Sequence, residues 1–209
     1  MGLAYDALAA TAVSTSPFAH VLVPGFVRPD DLDAVIGDLP PISRRGSFPI
    51  GSLRFGPAAM ALMDDLAGAA FRAAIAAKFG LDLDGAATML TLRGRSAERD
   101  GRIHCDSTAK RVTILLYLNR ETDAWSRHQG CLRLLRGPND IEDFAVEVPP
   151  VNGTLLAFPN GPAAWHGHKQ FVGPRNVVQL NYMTNDAAAR GELRRHRVSA
   201  FLKRLMAAA

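Results

Sequence analysis

The second half of the chain is a series of short apolar segments, and this pattern constrains the fold more than any other feature. Each segment is rich in Val, Ile, Leu, Phe or Thr and is bounded by turn residues such as Gly, Pro and Asn. Because no helical pattern lies between them, the series favours an antiparallel sandwich or small barrel over parallel βαβ units. The predicted strands cover residues 87–94, 111–119, 131–135, 144–148, 153–158 and 175–183.

The first half is predicted to contribute mainly helices. Residues 19–27 have the pattern of a strand that ends at Pro24-Gly25. A helix is predicted over 28–40, where Pro29 and an Asp pair stand in the first turn and apolar residues recur at helical spacing. The Ala-rich stretch 56–81 predicts one long helix or two in succession. We therefore expect a mainly β chain with helices packed on the outside of a β-sandwich.

These elements fit one domain, since 209 residues are enough to bury a sizeable core and no linker-like stretch divides them. The predicted domain covers residues 1–209, with a helical support at about 17–86, a β core at about 87–184 and a basic C-terminal helix at about 187–206.

Composition limits the partners and the compartment. The net charge is +4, and much of the excess lies in "RGELRRHRVSAFLKRL", which predicts an amphipathic helix with a solvated basic face, or else nucleic-acid or membrane contact. No apolar run reaches the roughly 18 residues that a membrane span needs. The N-terminus lacks the pattern of an export signal, so Cys105 and Cys131 are expected to be free thiols in a cytoplasmic protein.

The stretch "GRIHCDSTAKRVTILLYLN" (101–119) carries the first candidate for chemistry. In an extended segment His104 and Asp106 project from the same face, so they offer two adjacent metal ligands. A third ligand would complete the 2-His-1-carboxylate triad that holds Fe(II) and leaves coordination positions open. His166 and its rival His168 follow after several predicted strands, so a sandwich can fold either one back towards the pair.

A second candidate is Arg175, which opens the apolar strand "NVVQLNYM" nine residues after His166. A buried arginine at the start of a strand can hold a carboxylate through its planar fork, which suits a dicarboxylate. The alternative is a structural ion-pair arginine.

In order and spacing these motifs resemble the Fe(II)/2-oxoglutarate-dependent dioxygenases, and most closely the prolyl-hydroxylase-like branch. The resemblance rests on the His-Xaa-Asp of His104 and Asp106, on His166, and on Arg175. Tyr117 also stands where that family places a tyrosine that binds the far carboxylate of 2-oxoglutarate, although a core aromatic is the alternative. The spacing to Arg175 favours His166 over His168. The resemblance extends over roughly residues 17–184.

The resemblance implies a double-stranded β-helix, that is, a cupin-like jelly-roll braced by N-terminal helices. It implies that the catalytic residues His104, Asp106 and His166 bind Fe(II), and that Arg175 and Tyr117 bind 2-oxoglutarate as cosubstrate. Ascorbate is a candidate additional cofactor. The implied reaction is hydroxylation of a substrate with decarboxylation of 2-oxoglutarate to succinate.

The chain also departs from that family. Gly94 stands where many prolyl hydroxylases have a tyrosine lining the cosubstrate pocket, which puts a peptidyl-proline substrate in doubt. Asn181 stands where the nucleic-acid demethylases of the superfamily carry a second arginine, which argues against a nucleic-acid substrate. A small molecule or a side chain is expected instead, and neither its identity nor the oligomeric state is predicted. The neighbouring Arg93, Arg95 and Arg102 fit either an acidic substrate or solvated loop charge.

Two other functions remain open at this point. One is a cupin-like metalloenzyme that uses the same triad without 2-oxoglutarate. The other is a non-enzymatic jelly-roll module that binds a carbohydrate or a protein partner.

Overall fold

The computed structural model describes residues 2–122, 125, 127–184 and 191. Within them the fold is mainly β, with four longer helices ahead of most of the strands and a 3-10 helix at Ile50–Ser52. The helices are α1 (Tyr5–Ala10), α2 (Pro29–Gly37), α3 (Pro57–Ala67) and α4 (Ala69–Phe79). The strands are β1 (Val21–Val23), β2 (Phe48–Pro49), β3 (Thr88–Ser96), β4 (Lys110–Tyr117), β5 (Leu132–Leu135), β6 (Phe144–Val148), β7 (Leu155–Pro159), β8 (His166–His168) and β9 (Gly173–Met183).

The strands form two antiparallel sheets. The large sheet has the order β1-β7-β4-β9-β3-β2, and the small sheet has the order β6-β5-β8. Many neighbours in the large sheet are far apart in sequence; β3, for example, pairs with β9. This arrangement confirms the predicted mainly β fold with flanking helices.

The large sheet is buried on both faces because its side chains alternate between two cores. On one face the side chains pack with the helices, and on the other they pack with the small sheet. The helix-side core includes Leu116, Leu155, Val178, Leu62 and Phe71. The core between the sheets includes Tyr117, Leu156, Val177, Leu134 and Val148.

The helical prediction for 56–81 is resolved into two helices. Gly68 has an extended backbone (φ −72°, ψ 163°), so it ends α3 and begins α4. The predicted helix 28–40 is confirmed as α2, with Pro29 at its start and Asp30 and Asp31 in its first turn.

Three elements were not predicted from the sequence: α1, β2 and β8. All are short, and β8 consists of His-Gly-His, which has no strand signature of its own. No strand is assigned around His104 and Asp106, where His104 forms an isolated β-bridge. The predicted C-terminal helix 187–206 lies outside the described residues except for Gly191, and the single-domain division stays a prediction.

None of the helices among the described residues has both the length and the apolar character that crossing a bilayer requires.

Candidate active site

The structure brings His104, Asp106 and His166 together, with their candidate ligand atoms all within 4.8 Å of one another. His104 and His166 face each other across an isolated antiparallel bridge, in which each backbone N–H donates to the other's carbonyl at 3.0 Å. Opposed residues of such a bridge project their side chains from the same face. The two imidazole centroids are accordingly 4.3 Å apart.

The two histidines present the same ring nitrogen to the cluster. Nδ1 of His104 lies 2.9 Å from the carbonyl of Arg102, and Nδ1 of His166 lies 2.9 Å from the carbonyl of Ala164. A carbonyl can only accept, so each Nδ1 carries the hydrogen and each Nε2 keeps its lone pair. Two imidazole nitrogens and one carboxylate are the donors of the facial triad that binds Fe(II). The residues therefore fit such an ion.

Asp106 is held by donors on both of its carboxylate oxygens. Lys110 Nζ donates to Oδ1 at 2.7 Å, and Thr113 Oγ1 donates to Oδ2 at 2.5 Å. Thr113 in turn accepts a hydrogen bond of 2.9 Å from Nδ2 of the buried Asn181. Burial pushes the pKa of Asp106 up, but Lys110, Thr113 and His166 together bring it below its ordinary value. The carboxylate is therefore ionised at neutral pH.

Asn160, just after β7, fixes the turn that carries Asp106. Its Nδ2 donates to the carbonyls of Ser107 at 2.8 Å and of Asp106 and Lys110 at 3.3 Å. One amide thus bridges the end of β7 to the start of β4, so an irregular segment holds Asp106 in a defined place.

His166 is a neutral base in this setting. Burial and the neighbouring His104 lower the pKa of His166 to about 4. A neutral imidazole is the form that binds a metal, and at neutral pH His166 needs to lose no proton to do so.

His168 is placed away from the cluster. Its Nδ1 donates to the carbonyl of Lys169 at 2.8 Å, and burial, then Arg175, lowers the pKa of His168 to about 4. Gly101 lies against this ring, with φ +87° and no room for a side chain, since a Cβ there would be 2.4 Å from Nδ1 of His168. The geometry therefore places His166, rather than its rival, beside His104 and Asp106.

A second group of polar side chains lies deeper, at Arg175 and Tyr117. Both residues are buried, and the guanidinium carbon is 5.5 Å from the centroid of the tyrosine ring. Nε of Arg175 donates to the carbonyl of Gly130 at 3.0 Å. None of the ion pairs among the described residues includes Arg175. Within the same residues the Tyr117 hydroxyl makes no hydrogen bond of regular geometry, and the Arg175 guanidinium is the polar group that interacts with it.

The titration behaviour of this pair follows from its burial. Burial raises the pKa of Tyr117 to about 12 although Arg175 opposes the shift, so the hydroxyl keeps its proton. Burial also lowers the pKa of Arg175, without bringing an arginine near neutrality. A buried cation and a buried hydroxyl donor that lack an acidic partner are suited to a carboxylate.

One cavity of about 110 Å³ joins the two groups. Its lining includes the three clustered residues together with Arg175 and Tyr117. The other polar residues of the lining are Arg93, Thr113, His168 and Gln179. The sequence had suggested His168 as a rival ligand and Arg93 as a contact of an acidic substrate, but neither Thr113 nor Gln179 was predicted. The sequence did contain one signal for Thr113. In β4 the side chains of Thr113, Leu115 and Tyr117 share one face, because every second residue of a strand projects to the same side.

The structure also accounts for Gly94. A Cβ at this position would lie 2.6 Å from Cβ of Ile42, so the Ile42 side chain occupies the space over the strand. The loop before β2 thus covers the place where the resembling enzymes carry a tyrosine.

One protein-family model matches the part of the chain that carries this site. Residues 94–183 match the family model of the 2OG-Fe(II) oxygenase superfamily. No curated protein sequence matches the chain.

Several solved structures share the fold. A prolyl-4-hydroxylase of Pseudomonas putida is 23% identical, with a TM-score of 0.52 over 86% of this chain and 97% of its own. A prolyl 4-hydroxylase structure from Phytophthora capsici is 16% identical, with a TM-score of 0.58 over 90% of this chain and 68% of its own. A viral collagen prolyl hydroxylase from Paramecium Bursaria Chlorella virus-1 is 13% identical, with a TM-score of 0.52 over 84% and 94%.

These likenesses confirm the predicted jelly-roll fold. The matched family implies Fe(II) and 2-oxoglutarate, and the His-Asp-His group that it requires is present. Residues 94–183, which hold this group and Arg175, are therefore similar to the 2OG-Fe(II) oxygenase superfamily, whose members are oxidoreductases.

Proposed function

We propose that the chain is a non-haem Fe(II)- and 2-oxoglutarate-dependent dioxygenase that hydroxylates its substrate. In this proposal His104, Asp106 and His166 bind iron, and Arg175 with Tyr117 binds 2-oxoglutarate. The observation that carries it is a cavity with the clustered nitrogen and oxygen donors at one place and, at another, a buried arginine that has no ion-pair partner among the described residues. An α-keto dicarboxylate has matching groups at its two ends.

The iron and cosubstrate supply the oxidation: with O₂, 2-oxoglutarate becomes succinate and CO₂, and a substrate C–H becomes C–OH. The protein contributes geometry and electrostatics. Backbone carbonyls fix both imidazoles with Nε2 available, and Lys110 and Thr113 fix the carboxylate of Asp106. Ligands held in this way need little rearrangement when the metal binds.

In the group of Arg175 and Tyr117, the Nε of Arg175 donates its hydrogen bond to the carbonyl of Gly130. Its two terminal amino groups therefore remain for the distal carboxylate, and the Tyr117 hydroxyl can donate a further hydrogen bond. In a buried setting, charge-assisted hydrogen bonds of this kind are the strong ones. The protein would thus select an acid with a second carboxylate.

The proposal covers the reaction type and leaves the substrate open between a small molecule and a side chain. The fold neighbours are prolyl hydroxylases by name, but Gly94 with Ile42 packed over it changes the pocket wall in this chain. The proposal also keeps nucleic acid out of the substrate class, since Asn181 is buried and donates to Thr113.

The test measures binding first and turnover second. Protein loaded with Fe(II) without oxygen should bind one equivalent of 2-oxoglutarate and develop a visible charge-transfer band, because the keto acid would chelate the iron. After oxygen is admitted, succinate should form in wild type and not in Asp106→Ala. Adding ascorbate to the same assay tests its predicted role.

Two results would favour the other functions. Stoichiometric iron without any 2-oxoglutarate binding would indicate a metalloenzyme that does not use this cosubstrate. Absence of stoichiometric iron in protein purified without oxygen would indicate a binding module.

A further inference from the structure

Arg93 shares the cavity wall with Arg175, and the strand register explains why. Arg93 in β3 is paired with Val177 in β9, and residues paired across a ladder project from the same face. Val177 and Arg175 are two residues apart in β9, so they also share that face. All three line the same cavity. Two guanidinium groups therefore approach one small space.

The partners of Arg93 hold it loosely. Nη1 lies 3.4 Å from Asp100 Oδ1, and Nη2 lies 3.4 Å from Ser47 Oγ. Charge-assisted hydrogen bonds are normally about 2.7–2.9 Å long. The Arg93 side chain is 30% exposed, and Asp100 is the one carboxylate paired with it among the described residues. The guanidinium of Arg93 can therefore reorient towards a ligand without breaking a short ion pair.

Arg133 shows what a structural arginine looks like in the same protein. It is also buried, but its guanidinium lies 2.6 Å from Glu147 and 2.9 Å from Glu142. Two carboxylates thus satisfy that cation at short distance. Neither arginine of the cavity has such an arrangement.

The local charge balance favours an anion between the two arginines. Arg93 adds to the effect of burial in lowering the pKa of Arg175, which reflects repulsion between the two cations. The carboxylate of Asp106 cannot relieve this repulsion, because its hydrogen bonds from Lys110 and Thr113 already hold it beside His104 and His166. A bound carboxylate would relieve it.

We propose that Arg93 is a second binding residue for the cosubstrate and contacts its distal carboxylate together with Arg175. The pocket then selects a 2-oxo dicarboxylate over a 2-oxo monocarboxylate through two arginines rather than one. This inference rests on the proposed function and adds a specificity residue to it.

The experiment measures binding of two acids to protein loaded with redox-inert Mn(II). The acids are 2-oxoglutarate and 2-oxopentanoate, which has a methyl group in place of the distal carboxylate. The affinity of the acid that binds more weakly is measured by competition. The variants are Arg93→Gln, Arg93→Lys and, as a matched control, Arg95→Gln. Arg95 lies two residues along β3 and is not among the residues that line the cavity.

We expect Arg93→Gln to weaken 2-oxoglutarate binding about 10- to 100-fold, as the loss of a hydrogen-bonded charge predicts. Arg93→Lys should lose less affinity for 2-oxoglutarate, since it keeps the positive charge and loses only the planar guanidinium with its paired donors. Binding of 2-oxopentanoate should stay within about twofold in both variants, and Arg95→Gln should match wild type. A melting curve for each variant shows that it is folded.

Three results would overturn the inference. Unchanged 2-oxoglutarate affinity in Arg93→Gln would show that Arg93 makes no such contact. Equal losses for both acids would place Arg93 at the keto acid end, and an equal loss in Arg95→Gln would mean a general charge effect. If wild type itself bound no 2-oxoglutarate, the proposed function would fail instead.

Discussion

The two groups in the cavity are built in different ways. The group of His104, Asp106 and His166 lies on short segments. His104 is in an isolated bridge and is exposed, and His166 begins the three-residue strand β8. The group formed by Arg175 and Tyr117 rests on the long strands β9 and β4, which are neighbours inside the large sheet, and both side chains are buried.

The two groups also differ in how their polar atoms are satisfied. At the metal cluster each histidine Nδ1 has a carbonyl acceptor and both oxygens of Asp106 have donors. At the second group the Tyr117 hydroxyl makes no hydrogen bond of regular geometry among the described residues, and Arg175 has no acidic partner there. The protein's own hydrogen bonds therefore hold the His-Asp-His group in place, whereas in our proposal an anion completes the second group.

The largest expected effect comes from removing the carboxylate of the cluster. Asp106→Ala should weaken Mn(II) binding by about 100-fold or more, since it removes a charged ligand and leaves Lys110 without its ion-pair partner. Mn(II) titration followed by electron paramagnetic resonance measures this. Asp64→Ala, an exposed change on α3, serves as the control. Unchanged Mn(II) affinity in Asp106→Ala would remove Asp106 from the site.

Arg175→Met should separate the two groups. We expect 2-oxoglutarate to bind Mn(II)-loaded protein about 100-fold more weakly, because the buried cation is lost, while Mn(II) affinity stays within about twofold. Calorimetric titration of both ligands checks this. Parallel losses of metal and acid binding would show that Arg175 is a structural residue of the large sheet.

Thr113→Val tests whether the network around Asp106 positions the metal ligand. The change keeps the shape and removes the hydrogen bond to Oδ2. A 10-fold loss of Mn(II) affinity, to order of magnitude, is expected from a residue that orients a ligand. The control is Thr91→Val, since Thr91 is buried in β3, which β9 separates from β4, and is not among the residues that line the cavity. Equal Mn(II) affinities in both variants would contradict the positioning role.

Tyr117→Phe should have different effects on binding and on stability. Affinity for 2-oxoglutarate should fall about 3- to 10-fold, because one hydrogen bond to the carboxylate is lost. The free energy of unfolding of ligand-free protein should change little, because the deleted hydroxyl is buried and its interaction with the Arg175 guanidinium is not a hydrogen bond of regular geometry. Urea unfolding measures the second quantity, and a clear loss there would show that the hydroxyl has a structural partner.

The smallest effect is expected at His168. His168→Asn can keep the hydrogen bond to the carbonyl of Lys169, so Mn(II) affinity should stay within about twofold. His166→Asn should abolish tight Mn(II) binding in the same titration. The reverse ranking of the two variants would make His168 the ligand.

Much of the fold could be predicted because its signals are local. Alternating and apolar runs mark β4, β6, β7 and β9 within a few residues, and Pro29 marks the start of α2. The short elements α1, β2 and β8 lack such signals, and β8 forms through its pairing with β5 and its bridge to His104. The segment around His104 is held by this bridge and by the side chain of Asn160, just after β7.

The sequence by itself determined the chemical types of the site and their order along the chain: an imidazole and a carboxylate, a later pair of histidines, then an arginine. It also determined the mainly β architecture, because strand periodicity is written residue by residue. Only the tertiary structure decided that His166 rather than His168 faces His104, that Thr113 and Lys110 hold Asp106, and that Arg93 shares a wall with Arg175. Those choices depend on strand register and on loop contacts between residues far apart in sequence, and a one-residue change of register reverses which face a side chain occupies.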